Sequence, residues 1–431
     1  MTEIGSPYDP DASRLVDRRM ALAREWDTLV EEVRGLEGFE DFLKPPPLEK
    51  LLPASDCGPV AVINVSQWRC DALLVVDRAI RVRELPLLTA ADVTRRTRDY
   101  LAVLDLVSRR RAEYWHASKG DDGSPEAAAR HGRAAQELMA AQDDAEDMLR
   151  LILRWLWRTV TEPVLDELGF RTTPTGALSS WPRLWWCPTG LLTLLPLHAA
   201  GDHLADGPDR PTVLDRVVSS YTPTLRVLAE ARAPLADDEC PRILVVTVPQ
   251  VDDEAPLPEV ETERAMLKRR FAGRYTLFDG PDATVAEVAE QLPRHRWVHF
   301  SCHGDQLLDD PSQGGLRLAD GRLTVEEVSA RQYQGEFAFL AACKTATGGV
   351  GLADEAITLA AALHYTGYRH VIGTLWTVSD TAAAAVAEAV YGPPDVPFEP
   401  ALSPYRLHTV LSRLRDTERL SVWTPFTHIG P

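Results

Sequence analysis

Two stretches hold side chains that could do chemistry together. "RWVHFSCHG" (296–304) ends in His303 and Gly304, and "FAFLAAC" (337–343) ends in Cys343, just before "KTATGG". A thiol is a weak nucleophile until it loses its proton, and acyl transfer also needs a proton for the leaving amine. One imidazole beside the sulfur can serve both needs. Gly304 leaves a backbone N–H unhindered for a developing oxyanion, and the N–H of Cys343 is a second donor. The two residues are 343 − 303 = 40 positions apart, with one helix between them. That is one crossover, so the strands ending in them can be parallel neighbours with both loops on one edge.

Other readings of the same residues stay open. Free cysteine is among the most buried residue types, so Cys343 also fits a core position, and a lone His303 fits a satisfied structural histidine. His299, Cys302 and His303 form H-x-x-C-H, but neighbours on a strand point to opposite faces and no second ligand pair follows, so no metal is expected. Cys302 reads as a packed core thiol. "GGVGLAD" follows a strand and precedes a helix as a phosphate loop would. Aligned to G-x-G-x-x-G, however, it puts Asp354 where a small residue must pack, and no GK[ST] is present, so no nucleotide cofactor is expected.

The positioning elements read most clearly in the second half. From about residue 240 strands and helices alternate: "RILVVTV", "EVETERAMLKRRF", "YTLF", "TVAEVAEQL", "RWVHFSCH", "LTVEEVSA", "FAFLAAC", "EAITLAAALHYTG", "RHVIGTLW" and "TAAAAVAEAVY". This predicts a parallel sheet with helices on both faces and chemistry at the carboxyl ends of the strands. A last helix is expected at about 404–416, after the proline-rich loop 391–400, and the tail "WTPFTHIGP" can return one short strand. Upstream, helices are expected at 14–35, 90–116 and 125–168. "PVAVINVS" (59–66) and "CDALLVV" (70–76) read as a hairpin. A second hairpin is expected at 183–200, where Pro188, Thr189 and Gly190 separate two apolar runs.

Composition excludes several classes. The 431 residues are 45% hydrophobic with a formal net charge of −18, so the chain can bury a large core and is a poor match for a nucleic-acid backbone. Arg109, Arg110 and Arg111 read as solvated helix surface. No apolar run is long enough for a membrane span and no apolar signal core opens the chain, which suggests a cytoplasmic protein. Its six cysteines show no repeated short spacing and are expected to be thiols.

The chain resembles the CHAT proteases, caspase-like cysteine peptidases related to separases and caspases. The resemblance rests on "VHFSCHG", "FAFLAACKTATGG", "DEAITLAAALHYTGYRHVIGTLWTVSD" and "WTPFTHIG", and spans about residues 55–431. "WWCPTGLLTLLPLHAAG", "SSYTPTLRVL" and "LPEVETERAMLKRRF" resemble the family's non-catalytic half. The fold implied is α/β, a caspase-like, mostly parallel sheet with helices on both faces, preceded by a helical region and a pseudo-caspase half. The expected organisation is a tail and helical segment at 1–55, a helical region with the pseudo-caspase-like half at 56–235, and the catalytic half at 236–431. No tetratricopeptide array is read upstream, and the 14–168 helices are expected either to regulate the enzyme or to cover the sheet.

By the same resemblance His303 and Cys343 would be the catalytic dyad of an endopeptidase acting on a protein partner, with the Gly304 and Cys343 amides as oxyanion hole. Relatives suggest a defence or cell-death pathway and a possible regulatory protein partner. Asp380 aligns with a separase position that helps bind a basic P1 residue, although an acid before "TAAAAVAEAV" also suits a helix cap. Trp376 is a packing residue that could line the same pocket. Asp354 and Glu355 are further substrate-binding candidates at a helix start, where negative charge is favourable. The competing function is a catalytically silent scaffold that binds partners.

Overall fold

The computed structural model describes residues 10–431 apart from 41, 121–123, 205–210, 235–240, 252–254, 306, 308–309 and 342–357. Two compact units emerge, Met1–Leu51 and Leu52–Pro431. In the first, helix α1 (Pro10–Arg34) is followed by the short α2 (Leu48–Leu51). The prolines at 45–47 separate them, since each removes an amide donor and fixes φ. Met20, Leu22, Trp26 and Leu29 of α1 are exposed.

The second unit opens with β1 (Val60–Asn64), β2 (Asp71–Val76) and β3 (Ala79–Glu84). β1 and β2 form the expected antiparallel pair. β3 was not expected. It returns along β2 through Asp77 and Arg78, both at positive φ (49° and 60°), as a two-residue turn of the I′ kind requires. Arg78 is held there by a forked pair of hydrogen bonds, 2.8 and 2.7 Å, to Asp56. Its strand is exposed throughout and carries Arg81, Arg83 and Glu84, charges that discourage further pairing at a sheet edge.

Helices α3 (Ala90–Lys119) and α4 (Pro125–Leu156) follow, capped by Thr89 and Ser124. The helix expected at 125–168 is interrupted. A π turn at Trp157–Thr161 joins α4 to α5 (Glu162–Leu168), next to Pro163, which cannot donate the hydrogen bond an α-helix would ask of it. The hairpin expected at 183–200 is absent. Only β4 (Arg183–Pro188) is a strand, and it runs parallel to β1 and to β5 (Val218–Tyr221). The following residues form short 3-10 turns in which Leu191, Leu192, Leu194, Leu195 and Leu197 are all buried. An exposed face cannot be built from such a run, so it turns into the core instead of pairing back. Helix α6 (Leu225–Ala231) closes this half.

The remainder alternates as the sequence predicts: β6 (Ile243–Thr247), α7 (Val260–Arg270), β7 (Tyr275–Asp279), α8 (Val285–Gln291) and β8 (Trp297–Ser301). A small sheet intervenes, β9 (Gly304–Asp305), β10 (Gly315–Arg317) and β11 (Arg322–Thr324), whose strands are too short to leave a periodic signal. Then come α9 (Val325–Ser329), β12 (Phe337–Ala341), α10 (Leu359–Tyr365), β13 (His370–Thr374) and α11 (Asp380–Tyr391). Last are α12 (Ser403–Thr417), α13 (Leu420–Trp423) and β14 (Phe426–Ile429), the strand expected in the tail. No helix among the described residues is long and apolar enough to cross a membrane.

All the larger strands join one sheet of order β3-β2-β1-β4-β5-β14-β13-β12-β8-β6-β7. Pairing is antiparallel only at β2–β3, β1–β2 and β13–β14. β6, β8 and β13 are buried at every position, the pattern of parallel strands covered on both faces. The seam between the halves is thin, a single register pair of Ile429 with Tyr221. Gly430 reinforces it. Its N–H donates to Tyr221 O (3.0 Å) and its carbonyl accepts from Trp185 Nε1 (2.8 Å).

Gly430 has φ 126°, and a Cβ there would lie 1.9 Å from Arg369 O. Gly430→Ala is therefore expected to cost about 2 kcal/mol or more through backbone strain and displaced pairing. Urea unfolding of the two chains measures the difference, and equal midpoints would contradict this account of the seam.

Candidate active site

β8 and β12 are adjacent and parallel, with Ser301 opposite Ala341. The neighbour relation inferred from the 40-residue spacing is thus present. His303 follows β8 by two residues and is half-buried. Its Nε2 lies 2.9 Å from the carbonyl of Ala255. A carbonyl only accepts, so that contact requires the proton on Nε2 and makes Nδ1 the basic nitrogen.

Gly304 begins β9. Arg317 N–H donates to His303 O at 2.9 Å, which makes Gly304 and Leu316 a non-hydrogen-bonded pair of the antiparallel ladder. In such a pair the backbone groups point away from the partner strand, so the Gly304 amide faces outward from β10. Cys343, Asp354 and Glu355 lie outside the described residues. Cys343 is two residues beyond Ala341 in the sequence, the same offset that separates His303 from Ser301.

Asp380 is the first residue of α11, and the cap itself is made by Ser379, whose hydroxyl accepts from Ala382 N–H at 3.3 Å. The Asp380 side chain lines a small cleft at the carboxyl ends of β8 and β12, with Leu257, Glu259, Glu263, Ser301 and Ala341 among its walls. Burial pushes the Asp380 carboxyl up to about 6. The negative charge of Glu263 adds to the rise, His303 and Arg111 oppose it, and Glu259 adds a smaller push. Arg111, read from the sequence as plain helix surface, therefore bears on this cleft.

Trp376 is placed differently. It is 3% exposed, meets Tyr100 edge-on at 5.3 Å, and its indole N–H donates to Ser421 O at 3.2 Å. Both the ring and its polar edge are engaged in packing. Cys302 is 1% exposed and belongs to the main core cluster, as the sequence suggested.

The residue that sequence reasoning missed is Glu263. It is 2% exposed, accepts a hydrogen bond from Ser301 Oγ, and lies 3.3 Å from His299 Nε2. His299 is stacked on Phe339 (5.1 Å, 15°) and contacts Tyr391 Oη at 3.1 Å through Nδ1. A buried carboxylate thus ties α7 to the end of β8, directly beneath the cleft. α7, within the 236–431 stretch expected to be the catalytic half, packs under the strand end that leads to His303.

The family model for the CHAT domain matches residues 150–431, more than half of the chain. The chain belongs to the CHAT domain family. Among solved structures, this CHAT chain is similar to one in the Saccharomyces cerevisiae separase–securin complex, with a TM-score of 0.59, 10% identity, and coverage of 89% of this chain and 31% of that one. It therefore spans about a third of the length of that relative. A looser match is to gingipain R, named an Arg-specific cysteine proteinase, with a TM-score of 0.41, 11% identity, and coverage of 67% and 75%. A gingipain from Porphyromonas gingivalis in complex with its pro-domain scores 0.42 at 10% identity. A search of curated proteins found no match. The CHAT chain thus has the caspase-like peptidase fold, with a large mixed, mostly parallel sheet and a helical N-terminal region.

Proposed function

We propose that this CHAT chain is a cysteine endopeptidase that cleaves a protein partner, in a defence or cell-death pathway as the family resemblance implies. The observation that carries the reading is the Ser301–Ala341 register of β8 and β12. Adjacent strands lie about 4.8 Å apart and a residue advances about 3.3 Å. His303 and Cys343 each stand two residues past that pair in the sequence, and the reading brings the imidazole and the thiol to one peptide bond. His303 takes the thiol proton of Cys343, and the thiolate attacks the scissile carbonyl. The amides of Gly304 and Cys343 hold the oxyanion, and the departing amine recovers the proton from His303. Water then hydrolyses the acyl-enzyme by the same route. The test is a proteome-wide comparison of new N-termini made by the wild-type chain and by Cys343→Ala. Termini that appear only with the wild type support the reading, and identical sets refute it.

Asp380, backed by Glu263, supports Arg or Lys at P1, because a half-buried carboxylate gains most from a cation. The free space of the cleft is about 20 Å³, room for one water, so a basic side chain enters only as the walls part. That need is what a regulatory protein partner would supply.

The pH dependence follows with a definite sign. The empty carboxyl titrates at about 6, and a P1 cation binds only its ionised form. KM for an Arg substrate is expected to be flat above pH 7 and to rise as the pH falls through 6, by up to about tenfold per unit. Asp380→Asn should raise KM at pH 7.5 and flatten this limb. A wild-type profile without the limb, or one that persists in Asp380→Asn, would remove Asp380 from the pocket.

A further inference from the structure

At the far ends of α7 and α11 from the Asp380 cleft lies a second, larger concavity of about 450 Å³, walled also by α12. Both helices reach from one site to the other, and the 11 residues of α7 span about 16 Å. We propose that this concavity binds the phosphate chain of a small molecule such as a nucleoside triphosphate.

Four guanidinium groups line it: Arg269 and Arg270 from the last turn of α7, and Arg406 and Arg413 from α12. Residues 406 and 413 are seven apart, two helical turns, and so lie on one face, with Thr409 between them also in the wall. The chain as a whole carries a charge of −18, yet among the described residues none of the four forms an ion pair with a carboxylate. Two other arginines of the same helices behave otherwise. Arg264 pairs with Glu261 and Asp279, and Arg415 with Asp215.

A structural role explains two of the four. Arg270 is buried and donates through Nε to Tyr391 O (3.2 Å) and through an Nη to Val396 O (2.6 Å). Arg406 donates to Val390 O (2.9 Å) and Tyr391 O (3.1 Å). The carbonyls of Val390 and Tyr391 end α11, whose dipole favours cations there, and that of Val396 lies in the loop that follows. Backbone carbonyls orient the two guanidinium planes without cancelling their charge. Burial, then the facing charges of Arg406 and Arg274, lowers the affinity of Arg270 for its proton against the opposing charge of Asp395, and burial does the same for Arg406 against that of Glu399. Capping does not account for Arg269 and Arg413, which are exposed and stand across the same space. Converging guanidinium forks match the several oxygens of linked phosphates better than one carboxylate. The volume suits a nucleotide-sized ligand, since small-molecule sites run roughly 300–1,000 Å³. The one opposing group in the wall is the exposed carboxylate of Glu388.

Titration calorimetry of the whole chain with sodium tripolyphosphate, and separately with ATP, at fixed ionic strength, tests this. Saturable binding of both, or of ATP alone, supports it. Arg269→Gln combined with Arg413→Gln should weaken binding by about tenfold or more, and Glu388→Gln should tighten it. Both positions are exposed, so thermal unfolding of the variants should match the wild type. The proposal is overturned if neither compound binds saturably up to about 1 mM. It is equally overturned if the double variant binds as the wild type does, or if a polyglutamate peptide binds and tripolyphosphate does not. Binding is read directly from heat, so it is independent of cleavage by Cys343.

Discussion

His303→Ala is expected to lower kcat/KM on a susceptible protein substrate by about 10³-fold, and Cys343→Ala to abolish measurable turnover. The inequality follows from the division of labour. On the proposed mechanism the sulfur and the outward-facing Gly304 amide survive removal of the imidazole, so slow acyl transfer is expected to persist. Without the sulfur there is no acyl-enzyme. The His303→Ala residue should also respond to pH with the opposite emphasis to the Asp380 effect, its activity climbing as the thiol ionises toward pH 8 and beyond. Stopped assays with purified chains over pH 5.5–9 measure all of this. Activity that survives in Cys343→Ala would refute the thiol as nucleophile, and no cleavage by either chain would favour a scaffold that does not hydrolyse its partners.

Glu263→Ala is expected to be the most damaging single change near the cleft that touches neither proposed dyad residue. It removes the acceptor of Ser301 Oγ and the neighbour of His299 Nε2, both fully inside the protein, and leaves a void between α7 and β8. Each stranded buried polar group costs about 1–3 kcal/mol, so a loss of roughly 3 kcal/mol in urea unfolding is anticipated. Glu263→Gln keeps an acceptor and should lose less. A functional signature separates this from simple loosening. The charge of Glu263 helps raise the Asp380 carboxyl, so Glu263→Gln should move the acid limb of KM from about 6 toward the ordinary carboxylate range. A limb that stays in place would mean that Glu263 acts on stability alone.

The contrast between Glu263 and His303 shows what the sequence makes legible. β8 and β12 are short apolar runs that end in unusual residues, and a parallel crossover of one helix leaves few ways to arrange them. "EVETERAMLKRR" by contrast reads as a solvated, charged helix, and nothing in its composition distinguishes the one acid that is buried from those that are not. Depth is a property of what packs on a helix, and here that is α11 together with the Ser301 and His299 side chains of β8, both distant in sequence. The misread hairpin at 183–200 has a related cause. Pro188, Thr189 and Gly190 are turn formers, but Thr189 uses its hydroxyl on the carbonyl of Ile63, 126 residues away, and so closes the β1–β4 edge instead of a local turn. Trp376 carried an ambiguous signal at a strand end, and Tyr100 together with Ser421 O resolves where it goes.

The thin seam at Gly430 bears on how the protein is made. One panel of the sheet is drawn from residues 60–221 and the other from 243–374, and only the strip 426–429 bridges them. A ribosome releases both panels before the strip that couples them, and domains generally fold in the order in which they emerge. A nascent chain that stalls before this last strip would hold two sheets with bare facing edges, a species that chaperones and quality-control proteases can discriminate from the finished molecule.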